Sequence, residues 1–181
     1  MRLFHFSERG DIDRFEPRPV TIPAARKAGR EWLNGPLVWA IDEPHQPMYL
    51  FPRDCPRILL WATDATTPED RAAWLRRGEH RMVACIEQAW LDRFREARLF
   101  RYLLPSEPFE SLDDAGMWVA RRAVAPLETL LIDDLPAALA AAGAELRVLD
   151  SLAPLRAAQA SSLHVSAIRL RNSATWNAAN G

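Results

Sequence analysis

The chain has 181 residues, of which 49% are hydrophobic and 26% charged, and its formal net charge is −1. A chain of that length fits one domain and can bury well over half of its unfolded surface, so neither a disulfide nor a metal staple is required. The near-neutral balance gives no bulk attraction to nucleic acid or anionic membrane, and no apolar run reaches the ~18–20 residues of a membrane-spanning helix.

Residues 2–8 alternate, with Leu3, His5 and Ser7 on one side and Phe4 and Phe6 on the other. This predicts a first strand with the two phenylalanines in the core. Gly10 and Asp11 turn the chain, and Ile12 and Phe15 anchor the segment after the turn. A short helix is expected over 24–33, after Pro23 and before Asn34-Gly35. Runs 37–41 and 48–51 read as strands paired in a hairpin around Pro44, His45 and Pro47, and 58–62 as another buried strand. Thr67-Pro68-Glu69-Asp70 has the signature of a helix start, with a capping threonine, proline at the first helical position and acids in the first turn. That helix is expected to run to about Arg77 and stop at Gly78.

Residues 82–86 are ambiguous between strand and helix, whereas 88–97 carry Trp90, Leu91 and Phe94 at helical spacing. Strands are expected at 99–104, 117–121, 127–132, 146–149 and 163–169. Helices are expected at 135–142, ended by Gly143, and at 153–160. From Ser173 onward periodicity disappears, so 173–181 is expected to be a frayed tail on a single globular domain of 1–172. Short, mostly antiparallel strands with four or five helices, not strictly alternating, indicate an α+β class.

Chemistry concentrates between Pro36 and Arg57. The segment Pro52-Arg53-Asp54-Cys55-Pro56-Arg57 packs two prolines, two guanidinium groups, a carboxylate and a thiol into six residues. Solvated turns rarely need that composition. Arg53 and Arg57 can clasp phosphate or carboxylate on a backbone stiffened by proline. Equally, Asp54 can pair with one of them in a purely structural corner. Cys55 between two cations can be an activated thiol, with His5 or His45 as its base, or an inert buried one. Trp39 and Tyr49 supply either core or a stacking surface. Ser7 beside His5 can hold a ligand hydroxyl. In Ser166-Ala167-Ile168-Arg169-Leu170-Arg171-Asn172, Arg169 and Arg171 share a face at period two, as a second anion clamp or as protection of an edge strand. Glu8, Asp42 and Glu128 are the strand-adjacent acids. Cys55 and Cys85 form no paired motif, and His5, His45, His80 and His164 are scattered, so no metal is expected. Phosphate-cradling glycine loops and nucleophile-elbow or zinc-protease motifs do not occur. The start of the chain is too weakly apolar for a signal peptide, and a cytoplasmic setting is expected.

The motifs LFHFSE, VWAIDEPHQPMYLFPRDCPR and SAIRLRN resemble a family of small bacterial proteins known only as a domain of unknown function. The first strand with its histidine, followed by Ile12, Phe15 and Pro17, also resembles the opening of ADP-ribosyltransferase-type folds. That resemblance implies NAD as substrate, with His5 contacting its ribose and Trp39 or Tyr49 flanking nicotinamide. Glu128, at the start of the 127–132 strand, is the acid taken to complete a catalytic pair with His5, and with the serine and arginines read above the expected binding set is His5, Ser7, Trp39, Tyr49, Arg53, Arg57 and Arg169. The partner expected is a small phosphorylated ligand or nucleotide. A thiol enzyme using Cys55 and a non-catalytic binding module are the alternatives. Whether the chain turns anything over, and how it associates, stay open.

Overall fold

A computed structural model describes residues 1–75 and 80–178. Ten strands are interspersed with short helices. In chain order they are β1 (Leu3–Ser7), β2 (Val38–Asp42), β3 (Arg57–Trp61), α1 (Pro68–Asp70), β4 (Met82–Glu87), α2 (Leu91–Glu96), β5 (Leu99–Leu104), β6 (Glu110–Ser111), β7 (Met117–Ala120), β8 (Glu128–Ile132), α3 (Leu135–Ala141), β9 (Ala144–Leu149), β10 (His164–Ile168) and α4 (Ala174–Ala178). The strands form two sheets and the class is α+β. Two compact units result, one from Met1–Gln46 with Phe100–Leu131, the other from Pro47–Leu99 with Ile132–Gly181.

The first unit carries a six-stranded sheet in the order β6-β7-β2-β1-β5-β8. Here β1 is antiparallel to both β2 and β5 and therefore central. Its alternation is as the sequence implies, but each face carries a buried residue, Leu3 on one and Phe4 on the other. Leu3 joins Phe15, Val38, Ala40, Tyr102, Leu104 and Val124 in one apolar cluster. Phe4 is buried on the opposite side, while Phe6 is half-buried. The Tyr102 hydroxyl, deep in this core, donates to Arg9 O at 2.7 Å and accepts from Ile12 N–H at 3.3 Å. Burial of the ring thus leaves no polar cost.

The second unit carries the sheet β10-β3-β4-β9, in which β4 and β9 run parallel and the other pairs antiparallel. Every residue of β3 and β4 is buried. Such continuous apolar runs are what a strand covered on both faces requires, and they settle residues 82–87 as strand. Between β4 and β9, α3 starts on the Asp134 side chain, which accepts from Ala137 N–H at 2.9 Å. It ends before Gly143 at φ +80°. Thr67 likewise accepts from Asp70 N–H at 3.2 Å at the head of α1, as its sequence signature predicts. The expected continuation of that helix to Arg77 and its stop at Gly78 lie outside the described residues.

Three expectations are corrected. Residues 48–51 are not a strand: Gln46–Tyr49 is a 3-10 turn, and β2 pairs with β1 and β7 instead of forming a hairpin. Pro47 and Pro52 explain this, since neither can donate to a ladder. Residues 24–33 form no helix beyond the 3-10 turn Glu31–Asn34, and Gly29 at φ +80° interrupts the run. Finally, residues 173–178 of the expected frayed tail are packed or helical, and 179–181 lie outside the described residues. Ser173 is fully buried and α4 follows it.

Candidate anion-binding site

Arg57 opens β3, opposite Ile86 of β4 and Ile168 of β10. That register places the start of β3 beside the ends of β4 and β10, so Arg57, Glu87 and Arg169 gather at one end of the sheet. This is also the carboxyl end of the parallel pair β4 and β9, the customary location for ligands in sheets with parallel strands. Arg57 is only 3% exposed. Its Nε donates to Met48 O at 2.7 Å and its Nη1 to Cys55 O at 2.9 Å. The guanidinium carbon lies 5.3 Å from the Phe51 ring centre and 5.9 Å from that of Tyr49. Among the described residues it makes no ion pair. Burial pushes its pKa down to about 10, and Arg169 acts in the same direction. A buried charge is ordinarily paired or bound; among the described residues this one meets carbonyl dipoles and aromatic faces.

Arg169 follows β10 in a left-handed conformation, φ 57°, and begins the 3-10 turn Leu170–Asn172. The period-two face expected for Arg169 and Arg171 therefore does not exist, because the strand ends at Ile168. Burial lowers the Arg169 pKa, and Arg171 and Arg53 lower it further, against smaller opposing effects of Asp54 and Tyr49. Four arginines thus act on one region, where Asp54 offsets them at Arg169 and Glu87 lies at the same sheet end. Asn172 fastens the turn by donating from Nδ2 to Asp54 O at 2.7 Å. Burial raises the Tyr49 phenol, with Arg57 and Arg169 pulling it back.

Cys55 lies within the same wall, 0% exposed. Burial pushes its thiol up to about 12, outweighing the downward pull of Arg57 and Arg93. Cys85 is likewise held at about 11. Nucleophilic sulfur requires thiolate, so Cys55 is built as a packed inert group.

Glu87, the last residue of β4, is absent from the residues that sequence reasoning singles out. It is 5% exposed, and its Oε1 accepts from Ser173 Oγ at 2.6 Å and from Thr175 Oγ1. Two hydroxyls from the segment expected to fray thereby solvate a buried carboxylate. An acid closing the apolar run Met82-Val83-Ala84-Cys85-Ile86 is the available signal, and the ambiguity of that run masks it.

Of the expected site residues, Tyr49, Arg53, Arg57 and Arg169 come together in the second unit. His5, Ser7, Trp39 and Glu128 belong to the first, and there they separate. His5 Nδ1 donates to the backbone carbonyl of Trp39 at 2.9 Å, and its ring lies 4.6 Å from Phe15. The carbonyl only accepts, so a neutral His5 carries its proton on Nδ1 and its lone pair on Nε2. Backbone pairing of β1 with β2 covers Leu3↔Asp42 and Phe4↔Ile41, and the imidazole serves a carbonyl just beyond it. The Trp39 indole is on the opposite face, packed with Leu33, Leu37 and Val119. Ser7 Oγ accepts from Arg9 N–H in a local turn. Glu128 is exposed on β8, separated from β1 by β5.

An α+β protein of two sheets, with a cationic cluster at the end of the smaller one, is the class these features define. A model of the family of unknown function DUF6886 matches residues 4–173, and the chain belongs to that family. No curated protein and no solved structure matches it. No helix among the described residues is long and apolar enough to cross a membrane.

Proposed function

We propose that the protein binds a phosphorylated small molecule at the β3–β4–β10 end of the second unit. The observation that carries this reading is Arg57, a buried guanidinium with no carboxylate partner among the described residues, in a region on which Arg53, Arg169 and Arg171 also act. A phosphate oxygen there would supply the missing counter-charge. The fixed carbonyls of Met48 and Cys55 already hold the fork in place, so little order has to be imposed on binding. Tyr49 beside it supplies a ring face for an attached base or sugar. The narrower ligand, suggested by the likeness to ADP-ribosyltransferase openings, is NAD or ADP-ribose, whose pyrophosphate suits several arginines.

Binding without turnover fits the geometry better than transfer chemistry. His5 is engaged with the Trp39 carbonyl, and Glu128 is two strands away from β1. Thermal denaturation with phosphate, ADP-ribose and NAD tests the proposal on wild type and on the Arg53→Ala/Arg169→Ala variant. Ligand at 100 times its Kd stabilises by about 2.7 kcal/mol. The wild type should show a rise in Tm that the double variant lacks. A wild-type Tm unmoved by all three at millimolar concentration overturns the proposal.

A further inference from the structure

The first unit ends its sheet in a strand that breaks the usual rules for an edge. β8 is the terminal strand of the six, and four of its five residues are exposed. Leu127 is 67% exposed, Leu130 43% and Leu131 45%. Of the five large hydrophobic residues exposed among the described ones, these three fall within five positions. Edge strands are normally protected by lysine, proline or a bulge; residues 128–132, Glu-Thr-Leu-Leu-Ile, contain no lysine, arginine or proline. Leu130 and Leu131 project to opposite faces, so apolar surface flanks the open backbone edge on both sides.

Charge selects the occupant. Glu128 opens the strand, and Asp133 and Asp134 follow it in the chain. The strand on the closed side, β5, carries Arg101, whose charge is supported by Glu128. β8 thus already pairs with a strand in which arginine is interleaved with apolar residues. A second copy of β8 fits poorly, because antiparallel pairing about Leu131 sets Glu128 opposite Asp134 of its mate, and pairing about Leu130 sets it one position from Asp133. We propose that the free edge of β8 takes up an extended segment of another protein, in which apolar residues alternate with lysine or arginine, by strand addition. Its backbone would continue the ladder, its apolar side chains would cover Leu131 on one face, and its cations would meet Glu128 on the other, their methylene stems lying along Leu130.

Amide NMR spectra of the whole chain, titrated with two blocked peptides, test this. One is Lys-Val-Thr-Val-Lys-Val-Thr; the other has glutamate in place of both lysines. The lysine peptide should shift and protect the amides of residues 127–132, with an affinity that falls at high salt, while the glutamate peptide leaves them unchanged. Glu128→Lys, which turns an attraction into a repulsion, should weaken the lysine peptide by about tenfold, roughly 1.4 kcal/mol. Leu130→Lys should remove binding with circular dichroism unchanged. The proposal is overturned if neither peptide moves these amides, if both move them alike, or if β8 amides are already protected in a dimer of the free protein.

Discussion

His5 and Arg57 are both polar side chains set into a sheet, and their surroundings treat them in opposite ways. His5 is half-buried, hands its Nδ1 proton to one carbonyl and packs its ring on Phe15. Everything it needs is supplied locally, at the place where β1 and β2 stop pairing. Arg57 is more deeply buried and carries a full charge, yet its contacts are dipoles and rings, and its charged neighbours include Arg169 of the same sign. A satisfied polar group explains a strand junction. A buried charge without an ion pair among the described residues, at a sheet end with further cations, is what the proposed anion would complete. Function is therefore better sought where electrostatics are left incomplete than where a motif is present.

The largest expected effect tests that contrast directly. Arg57→Met removes the charge while keeping most of the side-chain volume. It should weaken ADP-ribose or phosphate by at least about tenfold, since a charge-assisted hydrogen bond is worth about 1.5–3 kcal/mol. Arg57→Lys, which keeps charge but not the fork, should fall between. Calorimetry reads both, and His5→Ala should bind as the wild type does. If His5→Ala loses the ligand while its fold persists, the contrast is reversed.

Next in size is Ser173→Ala. Its hydroxyl donates to the buried Glu87 carboxylate and accepts from Trp176 N–H at 3.0 Å. Leaving a buried carboxylate short of a donor costs about 1.5–3 kcal/mol, to be read as a lower urea midpoint with the m-value unchanged. The ligand response per mole bound should survive, because Ser173 acts on the fold of the C-terminal segment.

How much of the molecule is legible in its sequence depends on the range of the forces involved. Caps and stops are local chemistry, and Thr67-Pro68 and Gly143 reveal them. The class emerges from short apolar runs, and the cationic loop 52–57 identifies two of the arginines that gather in the second unit. Periodicity cannot reveal coverage. Alternation in β1 separates Phe4 from His5 correctly, but only the strand order shows that β2 and β5 flank it and close both edges. The proline-bounded run 48–51 is apolar enough for a strand, but Pro47 and Pro52 at its borders have no N–H to extend a ladder. Glu87 and Ser173 lie 86 residues apart, and no spacing rule connects a carboxylate to a hydroxyl at that distance. His5 with Ile12 and Phe15 is legible as a motif, yet its meaning here is packing, since Phe15 sits against the imidazole.

His5→Ala probes the satisfied group in its own right. The Trp39 carbonyl would lose its donor and Phe15 a ring contact, so a stability loss of about 1–2 kcal/mol is expected in chemical denaturation. A loss under a few tenths of a kcal/mol would mean that the imidazole does not secure the junction.

The smallest effect is alkaline, and its sign separates Cys55 from Arg57 within one site. Both thiols have folded pKa values raised from 9, to about 12 for Cys55 and about 11 for Cys85. Folding therefore favours their protonated forms, and that contribution is complete below pH 9 and lost as pH climbs toward 11–12. Between pH 9 and 10 each thiol withdraws about 1 kcal/mol. Arg57 has the opposite slope: its folded pKa is depressed to about 10, so its contribution to stability rises only from there toward its ordinary value. The window from pH 8 to 10 thus belongs mainly to the cysteines. Urea midpoints there should fall with pH in the wild type, and Cys55→Ala should remove about half of the slope while lowering stability at all pH values through the vacated volume. Bound phosphate would raise the Arg57 pKa and leave this slope nearly unchanged. A slope that vanished with ligand would instead place the anion against the Cys55 sulfur and move the site inward, away from the Arg57 fork.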